Sequence, residues 1–116
     1  MSYVDGFVIP VLKKKLKDYW PMARMGKKIW MKHGALDYKE CVGEDLKNLW
    51  GAAFSKMVKV KPGETVVFSF IVFKSRAHRD SVNKRVIKEM CNMNMPKEMP
   101  FEVKRMVYGG FKTVVE

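Results

Sequence analysis

The sequence predicts a single α+β domain in which two helices pack on a four-stranded antiparallel sheet, with the element order βαββαβ. Two observations predict this class. Segments whose apolar residues alternate, as in strands, are separated by segments whose apolar residues recur at steps of three and four, as in helices. The length of 116 residues and the hydrophobic content of 47% fit one globular domain, residues 1–116, with its own core.

The first strand is predicted over residues 2–11, because side chains alternate there with the period of a strand. Tyr3, Phe7 and Ile9 fall on one side of this strand by alternation. We expect that side to be the face of the sheet that the helices leave uncovered. The strand also contains Gly6, which offers no side chain to either face.

The first helix is predicted from Leu12 to Gly34, because apolar residues recur at steps of four and three over this segment. Glycine is typical of the residue that ends a helix. Pro21 lies inside the pattern and has no backbone N–H to donate. It predicts a kink, or a helix that begins late, near Tyr19.

Four further elements complete the order. Strands are predicted over residues 35–43 and 64–73, the second after a Pro-Gly turn. Ser75 is a predicted N-cap for a helix that runs to about Met90. The last strand is predicted over residues 104–115. This βαββαβ order is the ferredoxin-like arrangement.

The third strand predicts an assembly, because both of its faces are apolar. Two helices cover only one face of a four-stranded sheet, so the other face would expose a large apolar patch unless something packs on it. A second copy of the chain is the simplest cover, and we predict a homodimer. Its predicted interface residues are Phe7, Phe68 and Phe70.

Two adjacent glycines, Gly109 and Gly110, interrupt the last strand. Glycine within a strand often marks a bulge or a close approach by a ligand. The ferredoxin-like order pairs the last strand with the first, so the glycine pair is expected near Gly6, leaving a hollow in the sheet. Three bulky side chains are candidates to fill that hollow as ordinary core: Trp20, Trp30 and Phe7.

If the hollow is instead a pocket floored by Gly6, Gly109 and Gly110, four polar side chains are expected around it. These candidate ligand-binding residues are Asp5, His33, Arg105 and Tyr108. They offer an acid, a base, an anion anchor and a phenol, a set that suits a small polar-aromatic molecule. Asp5 and Arg105 are alternatively a structural ion pair between neighbouring strands.

The net charge of +11 predicts attraction to polyanions. Residues 13–32 hold eight basic side chains and one acid, Asp18. Residues 68–73, FSFIVF, come near the second half of the RNA-recognition strand motif, although its leading basic-glycine pair is missing. These features predict at most weak, sequence-indifferent binding of nucleic acid. A solvated helix face is the favoured explanation of the basic charge, and aromatic-rich strands are common.

No catalytic motif, cofactor fingerprint or close-spaced metal ligands occur in the sequence, so we predict neither a cofactor nor a metal site. Met90, Cys91, Met93 and Met95 would suit Cu(I) but are more typical of adaptable packing. No segment approaches the length of a membrane span, and no secretion signal or cysteine framework is apparent. We therefore expect a cytoplasmic protein with reduced cysteines and no membrane partner.

Four stretches together resemble the YbaA-like family of small bacterial proteins of unknown function. They occur in the same order and spacing over nearly the whole chain: YVDGFVIPV, HGALDYKECVGEDL, GETVVFSFIVFKSRAHRDSVN and MPFEVKRMVYGGF. The resemblance implies a ferredoxin-like subunit of a dimeric α/β barrel, in which two sheets pack face to face. It implies no activity, and whether the protein is an enzyme stays open.

Three functions are consistent with the sequence. The first is a homodimeric barrel that binds a small organic molecule. The second is nucleic-acid binding, specifically of RNA, through the basic first helix or the aromatic sheet face. The third is a dimer without a ligand that serves as a scaffold or as a partner for another protein.

Overall fold

The computed structural model describes residues 1–94 and 98–116, which form four strands and three α-helices. The strands are β1 (Tyr3–Leu12), β2 (Asp37–Val42), β3 (Glu64–Phe73) and β4 (Val107–Lys112). The helices are α1 (Leu16–Lys32), α2 (Phe54–Met57) and α3 (Arg76–Cys91), and two short 3₁₀ turns lie at Lys13–Lys15 and Val103–Arg105. Among the described residues, no helix combines the length and the apolar character needed to cross a membrane.

Helix α1 begins earlier than Pro21 suggested. It starts at Leu16 and continues through Pro21, so the predicted late start near Tyr19 is wrong. Pro21 lies early in the helix and is exposed, so its ring faces water and its missing N–H costs one hydrogen bond near the helix start. The buried side of α1 recurs at steps of four and three, as predicted: Tyr19, Ala23, Gly26 and Ile29.

Helix α3 has the predicted N-cap. Ser75 has an extended backbone, and its side-chain oxygen accepts a hydrogen bond from the backbone N–H of His78 at 3.1 Å. The last strand is shorter than predicted, because the chain forms a 3₁₀ turn over Val103–Arg105 before β4 begins. Helix α2, in the loop between β2 and β3, was not predicted.

The sheet has the strand order β2-β3-β1-β4, and every neighbouring pair is antiparallel. The two longest strands, β1 and β3, therefore occupy the centre. In the register of β1 with β4, Gly6 lies opposite Gly109 and Asp5 lies opposite Gly110. The predicted pairing of the first and last strands is confirmed, and so is the predicted proximity of the three glycines.

One face of the sheet packs against α1 and α3, but it is not the face that the sequence suggested for β1. Phe7 pairs with Ser69 and packs against the core beneath the helices, together with Ile9. The placement of Tyr3, Phe7 and Ile9 on the uncovered face is therefore wrong. Alternation separates two faces of a strand, but it does not say which face the helices cover.

The second face of the sheet, here called the open face, is covered only at one end. There Val8 and Val66 pack against Val58, which directly follows α2. Farther along the face, large apolar side chains remain in contact with water. These are Phe68, Val107 and Phe111, which are 41%, 48% and 63% exposed. Phe70 belongs to the same face, since its ring lies 6.1 Å from that of Phe68.

Candidate functional site

The predicted glycine hollow is occupied by rings other than those proposed. On the helix side, Tyr3 lies so close over Gly110 that a Cβ there would collide with its ring and hydroxyl. On the open face, the edge of the Phe111 ring lies 3.6 Å from where a Cβ of Gly6 would be, and 3.9 Å from that of Gly109. The prediction that Trp20, Trp30 or Phe7 fills the hollow is wrong, and the glycines allow close packing of Tyr3 and Phe111.

Asp5 and Arg105 do not pair with each other, so the predicted ion pair between neighbouring strands is wrong. Asp5 is buried beneath α3 and accepts a hydrogen bond from Arg79 at 2.8 Å. Arg105 precedes β4 and binds Glu64 with both terminal nitrogens, at 2.6 and 2.8 Å. The hydrogen bonds from Arg105 hold the pKa of the Glu64 carboxyl below its usual range.

Of the remaining two predicted polar residues, His33 lies away from the glycines and Tyr108 lies beside them. His33 caps the C-terminal end of α1 and hydrogen-bonds Glu89 of α3 at 2.7 Å through its Nε2. Tyr108 is 67% exposed on the helix side of the sheet, where its ring stacks on Phe7 at a centroid distance of 5.7 Å. The structure therefore brings Gly6, Gly109 and Gly110 together, with Asp5 opposite Gly110 and Tyr108 next to Gly109 on β4, but it places His33 and Arg105 elsewhere.

A cavity of about 240 Å³ lies instead between the sheet and the helices. Its floor comes from the helix side of β1, β2 and β3, and its roof comes from α1, the end of α3 and the segment around Phe101. Most of its lining is apolar or aromatic. Glu40, which projects from β2, supplies a carboxyl group to the wall.

Glu40 is the centre of a hydrogen-bond cluster at this cavity, here called the carboxylate cluster: Glu40, Tyr19 and Tyr38. The Tyr19 hydroxyl donates to Oε1 of Glu40 at 2.7 Å, and the Tyr38 hydroxyl donates to Oε2 at 2.6 Å. Burial raises the pKa of both phenols, and the adjacent Glu40 carboxylate raises it further. Both phenols therefore stay protonated donors, while Glu40 retains lone pairs for a further donor.

Gly26 makes room for this cluster. It lies in the interior of α1, where glycine costs about 1 kcal/mol relative to alanine, so its presence needs a reason. A Cβ on Gly26 would lie 2.8 Å from the Tyr38 hydroxyl oxygen. The missing side chain therefore lets Tyr38 approach α1 closely and reach Glu40.

A groove of about 380 Å³ runs along the outer side of the same cluster, between α1 and the edge strand β2. It shares three lining residues with the cavity: Ala23, Tyr38 and Glu40. Basic side chains line its outer part. The carboxylate cluster thus stands between an apolar interior space and a basic surface groove.

The chain matches the family described as "Protein of unknown function (DUF1428)" over residues 2–103. It belongs to this family. It is 35% identical over 116 residues to the "Uncharacterized protein YbaA" of Escherichia coli and of Shigella flexneri, covering 100% of this chain and 99% of each relative. The predicted family is confirmed, and neither its description nor the relatives' names assign an activity.

A solved structure of a de novo designed protein, Foldit4, aligns over 100% of both chains with a TM-score of 0.45 and 12% identity. Values this low support no conclusion about fold or function. The residues of this DUF1428 protein themselves indicate where its site lies.

The sequence contained one signal for the carboxylate cluster that we did not use. Tyr38 and Glu40 are two residues apart on a strand, so they share a face, and that face also had to accept the apolar side of α1. A glutamate on a covered strand face needs hydrogen-bond donors. Gly26, on the buried side of the helix, was the second part of the same signal.

Metal-ligating side chains do not cluster within residues 1–94 and 98–116, where no three of the His, Cys, Asp and Glu residues come together. Cys41 and Cys91 are both exposed and free. Met95, the last member of the methionine run considered for Cu(I), lies outside the described residues.

Proposed function

We propose that the protein is a homodimer of ferredoxin-like subunits, each of which binds a small organic molecule in the cavity beneath its helices. The strand order β2-β3-β1-β4, with antiparallel neighbours throughout, supports the ferredoxin-like assignment. The apolar side chains of the open face support the dimer, because a patch of this kind is a typical interaction surface.

The single observation that supports ligand binding is the cavity with a carboxylate in its wall. Small-molecule sites are mostly apolar, with a few polar groups that fix the orientation of the ligand. The cavity has this character, since Phe7, Trp30 and Ile71 line it around Glu40. A ligand that fits is largely apolar or aromatic, and it carries an O–H or N–H group that donates to Glu40.

The two tyrosines add selectivity. Because Tyr19 and Tyr38 both donate to Glu40, the carboxylate is held in one orientation with its remaining lone pairs fixed in direction. A ligand without a donor leaves these lone pairs unpaired on entry, which is unfavourable in an apolar site. We therefore expect discrimination between hydroxyl- or amino-substituted molecules and their hydrocarbon analogues.

Binding in the cavity can be tested with N-phenyl-1-naphthylamine, a neutral dye with one N–H group whose fluorescence rises when it leaves water. Ala23 is buried and lines the cavity, so in Ala23→Leu the larger side chain occupies part of the ligand space. We expect saturable binding to the wild type and about tenfold weaker binding to Ala23→Leu. Fluorescence titration measures both dissociation constants.

Ala77→Leu is the matched control, because Ala77 is exposed in the first turn of α3. It should bind the dye like the wild type. Gly26→Ala provides a second test in a variant with higher helix propensity, since it displaces Tyr38 from Glu40 and should also weaken binding. Two results would contradict the proposal and favour a dimer without a ligand. One is the absence of saturable binding to the wild type, and the other is binding to Ala23→Leu and Gly26→Ala that is as tight as binding to the wild type.

Nucleic-acid binding is a second candidate, favoured by one exposed side of α1. Four basic residues lie along it at helical spacing and face solvent: Lys17, Arg24, Lys28 and Lys32. The aromatic open face is a weaker candidate for base stacking, because Phe68 already packs edge-on against Phe54 at 6.0 Å. Any binding should therefore be electrostatic and indifferent to sequence.

Anisotropy titrations of labelled single-stranded RNA test this candidate. If the four cations on α1 contact four phosphates, the affinity should fall roughly 50-fold between about 50 and 200 mM salt. Phe68→Ala should bind as the wild type does. Tight binding that survives the higher salt and is lost in Phe68→Ala would instead indicate stacking of bases on the open face.

A further inference from the structure

The basic groove beside the carboxylate cluster indicates the chemical class of the ligand. Helix α1 contributes Arg24 and Lys27 to its lining. Trp20 adds an aromatic surface on the same side. Lys39 of β2 also borders the groove, but it lies opposite Phe70, on the face of the sheet away from the helices. The groove therefore offers two cationic side chains, Arg24 and Lys27, and a ring at the outer side of the site.

The charges in the groove are unequally compensated. Lys39 lies 3.2 Å from Asp37 on its own strand, so one cation is partly neutralised. Arg24 and Lys27 have no carboxylate within salt-bridge distance among the residues that the structure describes. Glu40 keeps its negative charge, because its two hydrogen-bond donors are neutral phenols, but it is one anion beside two cations. A group placed in the outer groove therefore experiences a net positive potential.

The groove and the cavity meet at the residues that they share. Ala23, Tyr38 and Glu40 form part of both linings, so one ligand lying past Glu40 can contact both spaces. Its outer end would face Arg24 and Lys27, while its inner end would face the apolar side chains beneath the helices. Arginine is well suited to the outer position, because its guanidinium group binds planar carboxylates with two parallel hydrogen bonds.

We propose that the ligand is an organic acid, with its anionic group held in the groove by Arg24 and Lys27, its donor group on Glu40 and its apolar body in the cavity. This inference rests on the proposed function, because it takes the cavity as the binding site. It narrows the ligand from a small molecule with a donor group to an amphipathic carboxylate or sulfonate.

Two dyes with the same apolar rings, one neutral and one anionic, separate binding in the groove from binding in the cavity. The neutral dye is N-phenyl-1-naphthylamine, and 8-anilinonaphthalene-1-sulfonate is the same molecule with a sulfonate added. Arg24→Gln and Lys27→Gln each remove one cation from the groove. We expect each substitution to weaken sulfonate-dye binding about three- to tenfold while leaving neutral-dye binding unchanged.

Lys28→Gln is the matched control. Lys28 is an exposed neighbour on α1 that does not line the groove, so its substitution alters net charge equally without altering the site. It should leave the binding of both dyes unchanged. Equal weakening of the sulfonate dye by Lys27→Gln and Lys28→Gln would overturn the inference, because it would show a general effect of net charge.

The failure of this inference is distinguishable from failure of the proposed function. If the neutral dye binds in the cavity and Ala23→Leu weakens it, but both dyes respond alike to Arg24→Gln and Lys27→Gln, the cavity binds ligands and the anion subsite is wrong. If the neutral dye does not bind at all, the proposed function itself is contradicted, and so is the inference that the ligand is an organic acid.

Discussion

Replacement of Arg79 by methionine is expected to lower the free energy of unfolding by about 3 kcal/mol at neutral pH, because it leaves a buried carboxylate without its cation. Asp5 is only 5% exposed, and Arg79 is its ion-pair partner at 2.8 Å. The guanidinium group also lies 5.0 Å above the ring of Tyr3. Methionine keeps much of the aliphatic packing, so the change reports chiefly on the lost charge.

The loss of unfolding free energy in Arg79→Met should depend on pH, and the ionisation of Asp5 determines whether the loss grows or shrinks as pH rises. Burial raises the pKa of Asp5 above 3.8, while Arg79 and Asn83 oppose this shift. A raised pKa means that the stabilising contribution of protonated Asp5 is lost as pH rises through the folded-state value. Without Arg79 the pKa rises further, so the difference between variant and wild type should be largest at neutral pH and smallest below pH 3.8.

Urea denaturation of the wild type and of Arg79→Met, at neutral pH and at a pH below 3.8, measures this difference in unfolding free energy. Arg76→Met is the control, since Arg76 is exposed at the start of α3 and should have little effect. Adding Asp5→Asn to Arg79→Met should restore part of the stability at neutral pH, because it removes the unpaired charge. An equal loss at both pH values, with no recovery in the double variant, would show that Arg79 acts only through packing.

Replacement of Phe70 by glutamate is expected to convert the proposed dimer into a folded monomer. At an interface formed by the open face, the new carboxylate would be buried without a partner, which costs several kcal/mol. Within one subunit it would face water and lie opposite Lys39 of the neighbouring strand, so the fold itself should tolerate it. Light scattering at micromolar concentration should give twice the 13.5 kDa chain mass for the wild type and a single chain for the variant.

Ile87→Glu is the matched control for this substitution. Ile87 is an apolar residue on α3 that is 60% exposed on the opposite side of the sheet, so the variant should remain dimeric. Circular dichroism of Phe70→Glu should retain the wild-type spectrum, which separates dissociation from unfolding. A monomeric wild type, or a dimer that persists in Phe70→Glu, would exclude the open face as the interface.

Local sequence signals determined most of the secondary structure. The strand predicted over residues 64–73 forms as β3 over the same residues, because β-branched and aromatic side chains alternate between two apolar faces. Ser75 caps α3, because an N-cap needs only contacts within one turn. Elements that depend on distant packing were less well predicted, since β4 covers only Val107–Lys112 and α2 was missed.

The sequence by itself also determined the family and the proximity of Gly6 to the pair Gly109-Gly110, because the order of elements implies which strands are neighbours. Only the tertiary structure decided which side chains meet. Arg105 was the cation expected beside Asp5, but Asp5 pairs with Arg79, which belongs to the helix that packs above it. Glu40 receives donors from α1 and from its own strand, and their convergence requires the close approach that Gly26 permits. Alternation and helical spacing specify the face of an element, whereas a site depends on how two faces are placed against each other in three dimensions.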